Sequence, residues 1–98
     1  MADVSDVAEV AGLRVLVRYF AGAAAAAGTD EEHLEVARGA TAAELAVVLG
    51  QRHPGLVRVL EVASLLVDEV AVRDRSQPLV AAGREDVQVD VLPPFAGG

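Results

Sequence analysis

Few residues in this 98-residue chain can carry covalent chemistry. The sequence contains no cysteine, and all eight of its basic residues are arginines, so it offers neither a thiolate nor a side-chain amine. Thiol catalysis, disulfides, iron–sulfur clusters and cysteine-ligated zinc are therefore excluded, as is Schiff-base chemistry on a lysine. His33 and His53 are the two histidines, a poor supply for a histidine metal site or a Ser–His pair.

The functional group that stands out is the α-carboxylate of Gly98, which ends the sequence after Gly97. With nine glycines in 98 residues, a Gly-Gly ending arises by chance in roughly 1% of such chains. A carboxylate is a poor electrophile until ATP converts it to an acyl adenylate. A sulfur donor that then displaces AMP leaves a C-terminal thiocarboxylate, and this chemistry needs no catalytic side chain from the carrier.

The last six residues have the composition of an arm that enters another protein. Pro93 and Pro94 stiffen the chain at its base, and six extended residues span at most about 20 Å. Glycine has no Cβ, so the final residues can pass a narrow channel. We predict Gly98 as the acyl carrier and a partner-binding tail of Pro93, Pro94, Phe95, Ala96 and Gly97. The alternative is an end without function.

Composition and charge limit the classes of protein to which this chain can belong. Apolar residues make up 53% of the chain and mean hydropathy is +0.39, which is typical of one globular domain. The net charge of −7 repels the phosphate backbone of nucleic acid and favours a basic protein partner. The acidic N-terminus lacks the basic residues of a signal peptide, and no apolar run reaches the length of a membrane span. We expect a cytoplasmic protein that binds neither nucleic acid nor membrane.

Hydrophobic periodicity divides residues 13–92 into strands and helices. The strongest helix signal is a capping box, in which Thr41 and Glu44 each accept from the other's backbone amide. The alanines before Gly28 predict a shorter helix with glycine as its left-handed C-cap. Residues 56–63 carry a helical stripe but are too few to decide. The predicted strands are 13–20, 33–37, 64–67, 70–72 and 87–92, and the predicted helices are 21–27 and the one that Thr41 begins and His53-Pro54-Gly55 ends.

This order of elements lacks the regularity of βαβ repeats. It predicts an α+β fold with a mixed sheet and helices on one face. Residues 1–12 are interpreted as a flexible lead-in, 13–92 as the folded domain and 93–98 as an extended tail.

The charged residues have mostly structural interpretations. Acidic clusters fall in predicted turns at 30–32, 68–69 and 85–86, where solvated surface is favoured over a carboxylate pair for acid–base work. His33 is expected to be exposed, and His53 in the last turn of a helix suits the helix dipole.

One strand carries a possible docking surface. Arg14 and Arg18 share a strand face with Leu16, and both arginines are expected to be exposed. An exposed Leu16 between them could then belong to a docking surface.

Several of these segments together resemble a known family. They resemble the MoaD type of the MoaD/ThiS family, the ubiquitin-like sulfur carriers that form the small subunit of molybdopterin synthase, over residues 13–98. The resemblance implies a β-grasp fold. The segments that carry it are Val15–Ala21, Gly28-Thr29-Asp30, Thr41–Leu45, Pro78-Leu79 and the ending Leu92-Pro93-Pro94-Phe95-Ala96-Gly97-Gly98.

The resemblance also implies a function and partners. An E1-like adenylating enzyme would activate Gly98 with ATP and a sulfur donor, and the chain would bind no cofactor itself. It would then dock on a large, MoaE-type synthase subunit as part of a hetero-oligomer. There it would act as a sulfur-donating co-substrate, not catalytic alone, and give sulfur to a molybdopterin precursor in molybdenum cofactor biosynthesis.

Departures from the family pattern leave the pathway open. Val67-Asp68 stands where the family commonly has Val-Asn, and Gly83 lies further from the double proline than is usual. Carriers for thiazole, cysteine or specialised-metabolite synthesis are alternatives, although thiazole-type carriers usually lack the helix predicted at 21–27. A ubiquitin-like protein modifier and an interaction domain with an inert tail are further alternatives.

Overall fold

A five-stranded mixed sheet organises the computed structural model, which describes residues 12–94. The strand order is β2-β1-β5-β3-β4; β1 and β5 pair in parallel, and every other pair is antiparallel. The first and last strands of the chain are therefore neighbours inside the sheet. The elements are β1 (Gly12–Tyr19), α1 (Gly22–Ala27), β2 (Glu31–Ala37), α2 (Ala42–Arg52), a 3-10 turn (Pro54–Leu56), α3 (Val57–Val62), β3 (Ser64–Val67), β4 (Val70–Ala71) and β5 (Asp86–Leu92).

The core lies between one face of this sheet and the helices. Strand alternation turns one set of side chains inward, and on α2 the fully buried Leu45 and Leu49 recur at helical spacing. Helices on one face of a mixed sheet, as predicted, are confirmed. Among the described residues, no helix is long and apolar enough to cross a membrane. The buried strand residues are Leu13, Val15, Val17 and Tyr19 on β1, Leu65 on β3, and Val87, Val89 and Val91 on β5.

Both predicted helix caps are present. The Glu44 amide donates to the Thr41 hydroxyl over 3.1 Å, and the Thr41 amide donates to the Glu44 carboxylate over 2.9 Å. Gly28 ends α1 in the left-handed region with φ of 77°, and its amide donates to the Ala24 carbonyl over 2.8 Å. Residues 56–63 resolve into the end of the 3-10 turn and α3.

The predicted charged turn at 29–32 is wrong in its second half. Glu31 and Glu32 already belong to β2, because antiparallel pairing with β1 continues to the partners Arg18 and Glu31. The strand predicted at 70–72 is shorter than expected, and β4 ends at Ala71.

The β3–β4 turn places two non-glycine residues in the left-handed region. Asp68 has φ of 49° and Glu69 has φ of 72°, as a two-residue type I′ hairpin requires. Asp68 is held there by two donors. Its carboxylate accepts from the backbone amide of Gln88 on β5 at 3.1 Å and from the Arg84 side chain, just before β5, at 2.8 Å. The hydrogen bond from Arg84 also lowers the pKa of Asp68. Glu69 has no such compensation among the contacts of residues 12–94.

Replacing Glu69 with glycine is expected to stabilise the protein. Glycine removes the backbone strain at position 69 but also gives the unfolded chain more conformational entropy. The first contribution is the larger, so the free energy of unfolding should rise by roughly 0.5–1 kcal/mol. Urea denaturation measures this change. Asp68→Gly is the matched control and should destabilise, because it removes the bonds to Gln88 and Arg84. A loss of stability in Glu69→Gly would contradict the assignment of strain.

Candidate functional site

The last described strand leads into the predicted tail from the interior of the sheet. β5 lies between β1 and β3, with Val91 opposite Tyr19 on one side and Leu65 on the other. Beyond Leu92 the chain continues through Pro93, which is half-buried, and Pro94, which is exposed. Proline has no amide hydrogen, so neither residue can extend the ladder. The base of the tail is thus fixed on both sides and directed out of the sheet.

The rest of the predicted tail lies outside the described residues. This applies to the predicted carrier Gly98 and to Phe95, Ala96 and Gly97, whose roles stay predictions. Residues 1–11 of the predicted lead-in also lie outside them.

The face of the sheet turned away from the helices is called the open face here. It carries an ion pair between its two central strands: Arg18 donates to Asp90 through Nε at 3.0 Å and through Nη2 at 3.4 Å. Asp90 is only 4% exposed. The Arg18 guanidinium carbon lies 5.2 Å from the centroid of the Phe20 ring. The open face at the base of the tail comprises Leu16, Arg18, Leu66, Gln88, Asp90 and Leu92.

The predicted exposure of the two strand arginines is only partly correct. The side chain of Arg14 is 68% exposed, as expected. That of Arg18 is 40% exposed because it turns onto Asp90, and Leu16 is half-buried. Sequence reasoning did not single out Asp90. The alternation of the last strand puts Asp90 on the same face as Gln88, but its partner depends on a parallel register with a residue 72 positions away.

A second polar cluster fastens helix α2 to the sheet on the inner side. The Glu32 carboxylate is 12% exposed and accepts from Arg52 at 2.8 Å and from the Tyr19 hydroxyl. His53 Nε2 lies 2.6 Å from Glu32 Oε2, the oxygen that also accepts from Tyr19, whereas Arg52 donates to Oε1. The His53 ring also meets the edge of the Tyr19 ring, with centroids 5.9 Å apart. One carboxylate thus joins β1, β2 and the end of α2.

This cluster corrects the prediction of a solvated acidic turn at 30–32 for Glu32, whereas Asp30 and Glu31 are exposed as predicted. Strand alternation turns Glu32 toward the helices, whereas His33, the next residue, is exposed as predicted. His53 has the structural role expected of it, but through contact with a carboxylate as well as through its position at the helix end.

Hydrogen bonding sets the charge state of the cluster. Burial alone would raise the pKa of Glu32, but hydrogen bonds from Tyr19, His53 and Arg52 outweigh it and hold that pKa below its ordinary value of 4.5. Burial and the hydrogen bond to Glu32 raise the pKa of the Tyr19 hydroxyl, which stays a donor. The cluster therefore holds one ionised carboxylate that is fully hydrogen-bonded.

Glu32→Gln should destabilise the fold by about 1–3 kcal/mol at neutral pH, because it removes the charge that three donors share. A folded-state pKa below the unfolded one gives stability that is complete above the unfolded value and is lost as pH falls below it. The wild type should therefore lose stability more steeply than the variant below about pH 5. Thermal unfolding across pH measures this difference. Glu35→Gln, exposed on the same strand, is the control, and equal pH profiles for wild type and Glu32→Gln would contradict the assignment.

The architecture of this protein is shared with a known family. A mixed sheet in which β1 and β5 are parallel neighbours, with helices on one face, is the architecture of a ubiquitin-like β-grasp protein. The chain belongs to the ThiS family, which matches residues 17–98. The predicted resemblance and the predicted fold are thereby confirmed.

Individual proteins are similar to this chain over most of its length. The chain is 28% identical over 86 residues to the molybdopterin synthase sulfur carrier subunit of Chlamydomonas reinhardtii, covering 88% of this chain and all of that protein. The crystal structure of the small archaeal modifier protein SAMP1 from Haloferax volcanii is similar, with a TM-score of 0.71, 25% identity, and coverage of 87% and 99% of the two chains.

A complex of subunits 1 and 2 of the molybdopterin-converting factor from Helicobacter pylori also contains a similar chain. Its TM-score is 0.60, with 22% identity and coverage of 88% of this chain and 100% of that one. This likeness is one of fold.

Proposed function

We propose that this protein is a sulfur carrier of the MoaD type and that Gly98 is its acyl and sulfur carrier in molybdenum cofactor biosynthesis. The observation that supports this most is the position of β5: an interior strand, paired on both sides, runs directly into Pro93, Pro94 and the Gly-Gly ending. Membership of the ThiS family and the full-length match to a sulfur carrier subunit support the same assignment.

The chemistry takes place at one carboxylate. A Gly98 oxygen attacks the α-phosphorus of ATP, and pyrophosphate leaves. Hydrosulfide, as the sulfur donor, then attacks the acyl carbon and the acyl–phosphate bond breaks, so AMP leaves with the electron pair, the S–H proton passes to solvent and a thiocarboxylate remains. The activating enzyme supplies ATP and the sulfur donor, and the carrier needs no cofactor of its own.

The carrier contributes positioning to this chemistry. Because β5 is held by β1 and β3, the base of the tail is rigid, and Pro93 and Pro94 limit the directions the tail can take. The absence of a Cβ at Gly97 and Gly98 lets the carboxylate enter a narrow active site. Rigidity at the base reduces the ordering cost when a partner takes up the tail.

Two protein partners follow from this proposal. An E1-like adenylating enzyme would activate the tail, and a large synthase subunit would receive it in a hetero-oligomer. The Helicobacter pylori complex of subunits 1 and 2 supports the second partner. The net charge of −7 would accelerate encounters with a basic partner surface.

Gly98→Val should abolish adenylation, because a β-branched residue obstructs a channel that admits glycine. ATP–pyrophosphate exchange with the adenylating enzyme from the same organism measures this. If Gly98 acts as an extended carrier end, it makes no core contacts, so we expect the free energy of unfolding to change by less than about 0.5 kcal/mol. Gly39→Val is the matched control, since Gly39 has open space around it. Exchange by Gly98→Val at the wild-type rate would contradict the proposal.

A protein modifier is the second candidate, supported by the likeness to SAMP1. In that function the activated Gly98 would be joined to lysine amines on target proteins. Because the chain has no lysine, copies could not be joined to one another through side-chain amines. Mass spectrometry of cell lysates should find lysine adducts that depend on Gly98 if this function operates, and their absence would contradict it.

A further inference from the structure

The ion pair on the open face is not explained by stability. Asp90 is the one polar or charged residue of the described part that is buried, yet it lies on the face of the sheet that the helices leave uncovered. Transfer of a carboxylate out of water is costly, and well-packed apolar residues of similar shape commonly stabilise a fold as much as a buried ion pair does. A role for the ion pair is therefore expected in the donor groups that it exposes to solvent.

The pair presents a guanidinium in a fixed orientation. Two of the five N–H groups of Arg18 point to Asp90, which leaves three. The Phe20 ring packs against the same guanidinium. Glu31 lies opposite Arg18 on β2, but within residues 12–94 it forms no ion pair with Arg18. The remaining donors are thus pre-oriented on a side chain that is still 40% exposed.

These donors lie at the base of the tail, among apolar side chains. Leu66 is directly opposite Asp90 on β3, and Leu92 follows two residues later on β5, immediately before Pro93. Leu16, Leu66 and Leu92 are each half-buried, and together with Arg18 they form the patch at the base of the tail. A partner that docks at the base of the tail, around Pro93, would cover this patch and remove water from Arg18.

The charge of the pair determines which acceptor suits these donors. Asp90 already balances the charge of Arg18, so a carboxylate from a partner would leave a net negative charge in a desolvated place. A neutral oxygen satisfies the N–H groups without that cost. Carbonyl groups of a partner's backbone or amide side chains, set in an apolar surface, therefore match this patch best.

We propose that Arg18, held in place by Asp90 and Phe20, is a docking anchor that donates hydrogen bonds to carbonyl oxygens of the large synthase subunit. This inference rests on the proposed function, since it concerns the partner that receives the tail. Asp90 is a positioning residue that acts through Arg18. On an acidic molecule, one neutralised and directional donor group fixes the orientation of docking, whereas long-range charge governs the encounter.

The test replaces both charges at once, so that no unpaired carboxylate is left buried. Arg18→Met/Asp90→Leu keeps the shape of the pair, and its melting temperature should equal or exceed that of the wild type. Its Kd for the large subunit from the same organism, measured by calorimetry with the full chain, should rise roughly ten- to hundredfold.

A matched control exists in the same strand register. Arg14 and Asp86 are partners on β1 and β5, four residues before the first pair, with 3.9 Å between their charged atoms and side chains 68% and 73% exposed. Arg14→Met/Asp86→Leu should bind the large subunit within about twofold of the wild type, because exposed pairs contribute little.

Four outcomes would overturn the inference. The first is wild-type affinity in Arg18→Met/Asp90→Leu, which would leave the pair a purely structural role. The second is wild-type affinity in Arg18→Lys, which would show that charge alone is recognised and not the guanidinium fork. In the third, the difference in affinity between wild type and the double variant shrinks strongly with salt, which would identify a carboxylate acceptor. In the fourth, the wild type fails to bind at all, which would contradict the proposed function first and this inference with it.

Discussion

The parallel pairing of β1 with β5 is the constraint on which the rest of the structure depends. It brings the last strand of the chain into the interior of the sheet, beside the first, so the residues between them must cross over from one to the other. The crossover contains the three helices of residues 12–94, which cover one face and bury the aliphatic core. The other face stays open, and the chain leaves β5 at a point held on both sides.

This arrangement suits a protein whose reactive group is its own terminus. The sequence has no cysteine or lysine nucleophile, and the Tyr19 and Glu32 side chains, whose pKa values are shifted, serve to fasten α2 to the sheet. What the fold supplies to function is a rigid base for the tail and a surface beside it. In the proposed account, Gly98 carries the chemistry, and the open face around Arg18 selects and orients the partner.

Local physical rules were enough to predict most of the helices and strands, whereas the β-grasp fold was predicted from the resemblance to a family. The Thr41–Glu44 capping box, the Gly28 cap and the alternation of Val87, Val89 and Val91 each depend on near neighbours in sequence, and the structure contains all three. Glu32 and Asp90 were not predicted, because their burial depends on register between strands far apart in the chain. An acidic residue next to a turn looks solvated until the pairing of β2 with β1 shows which way it faces.

Intact-protein mass spectrometry can show whether Gly98 carries sulfur. The full chain would be incubated with ATP, a sulfur donor and the adenylating enzyme from the same organism. The account predicts a mass increase equal to replacement of one oxygen by sulfur, located at Gly98 by fragmentation. No increase with any adenylating enzyme of that organism would contradict the account and favour an interaction domain with an inert tail.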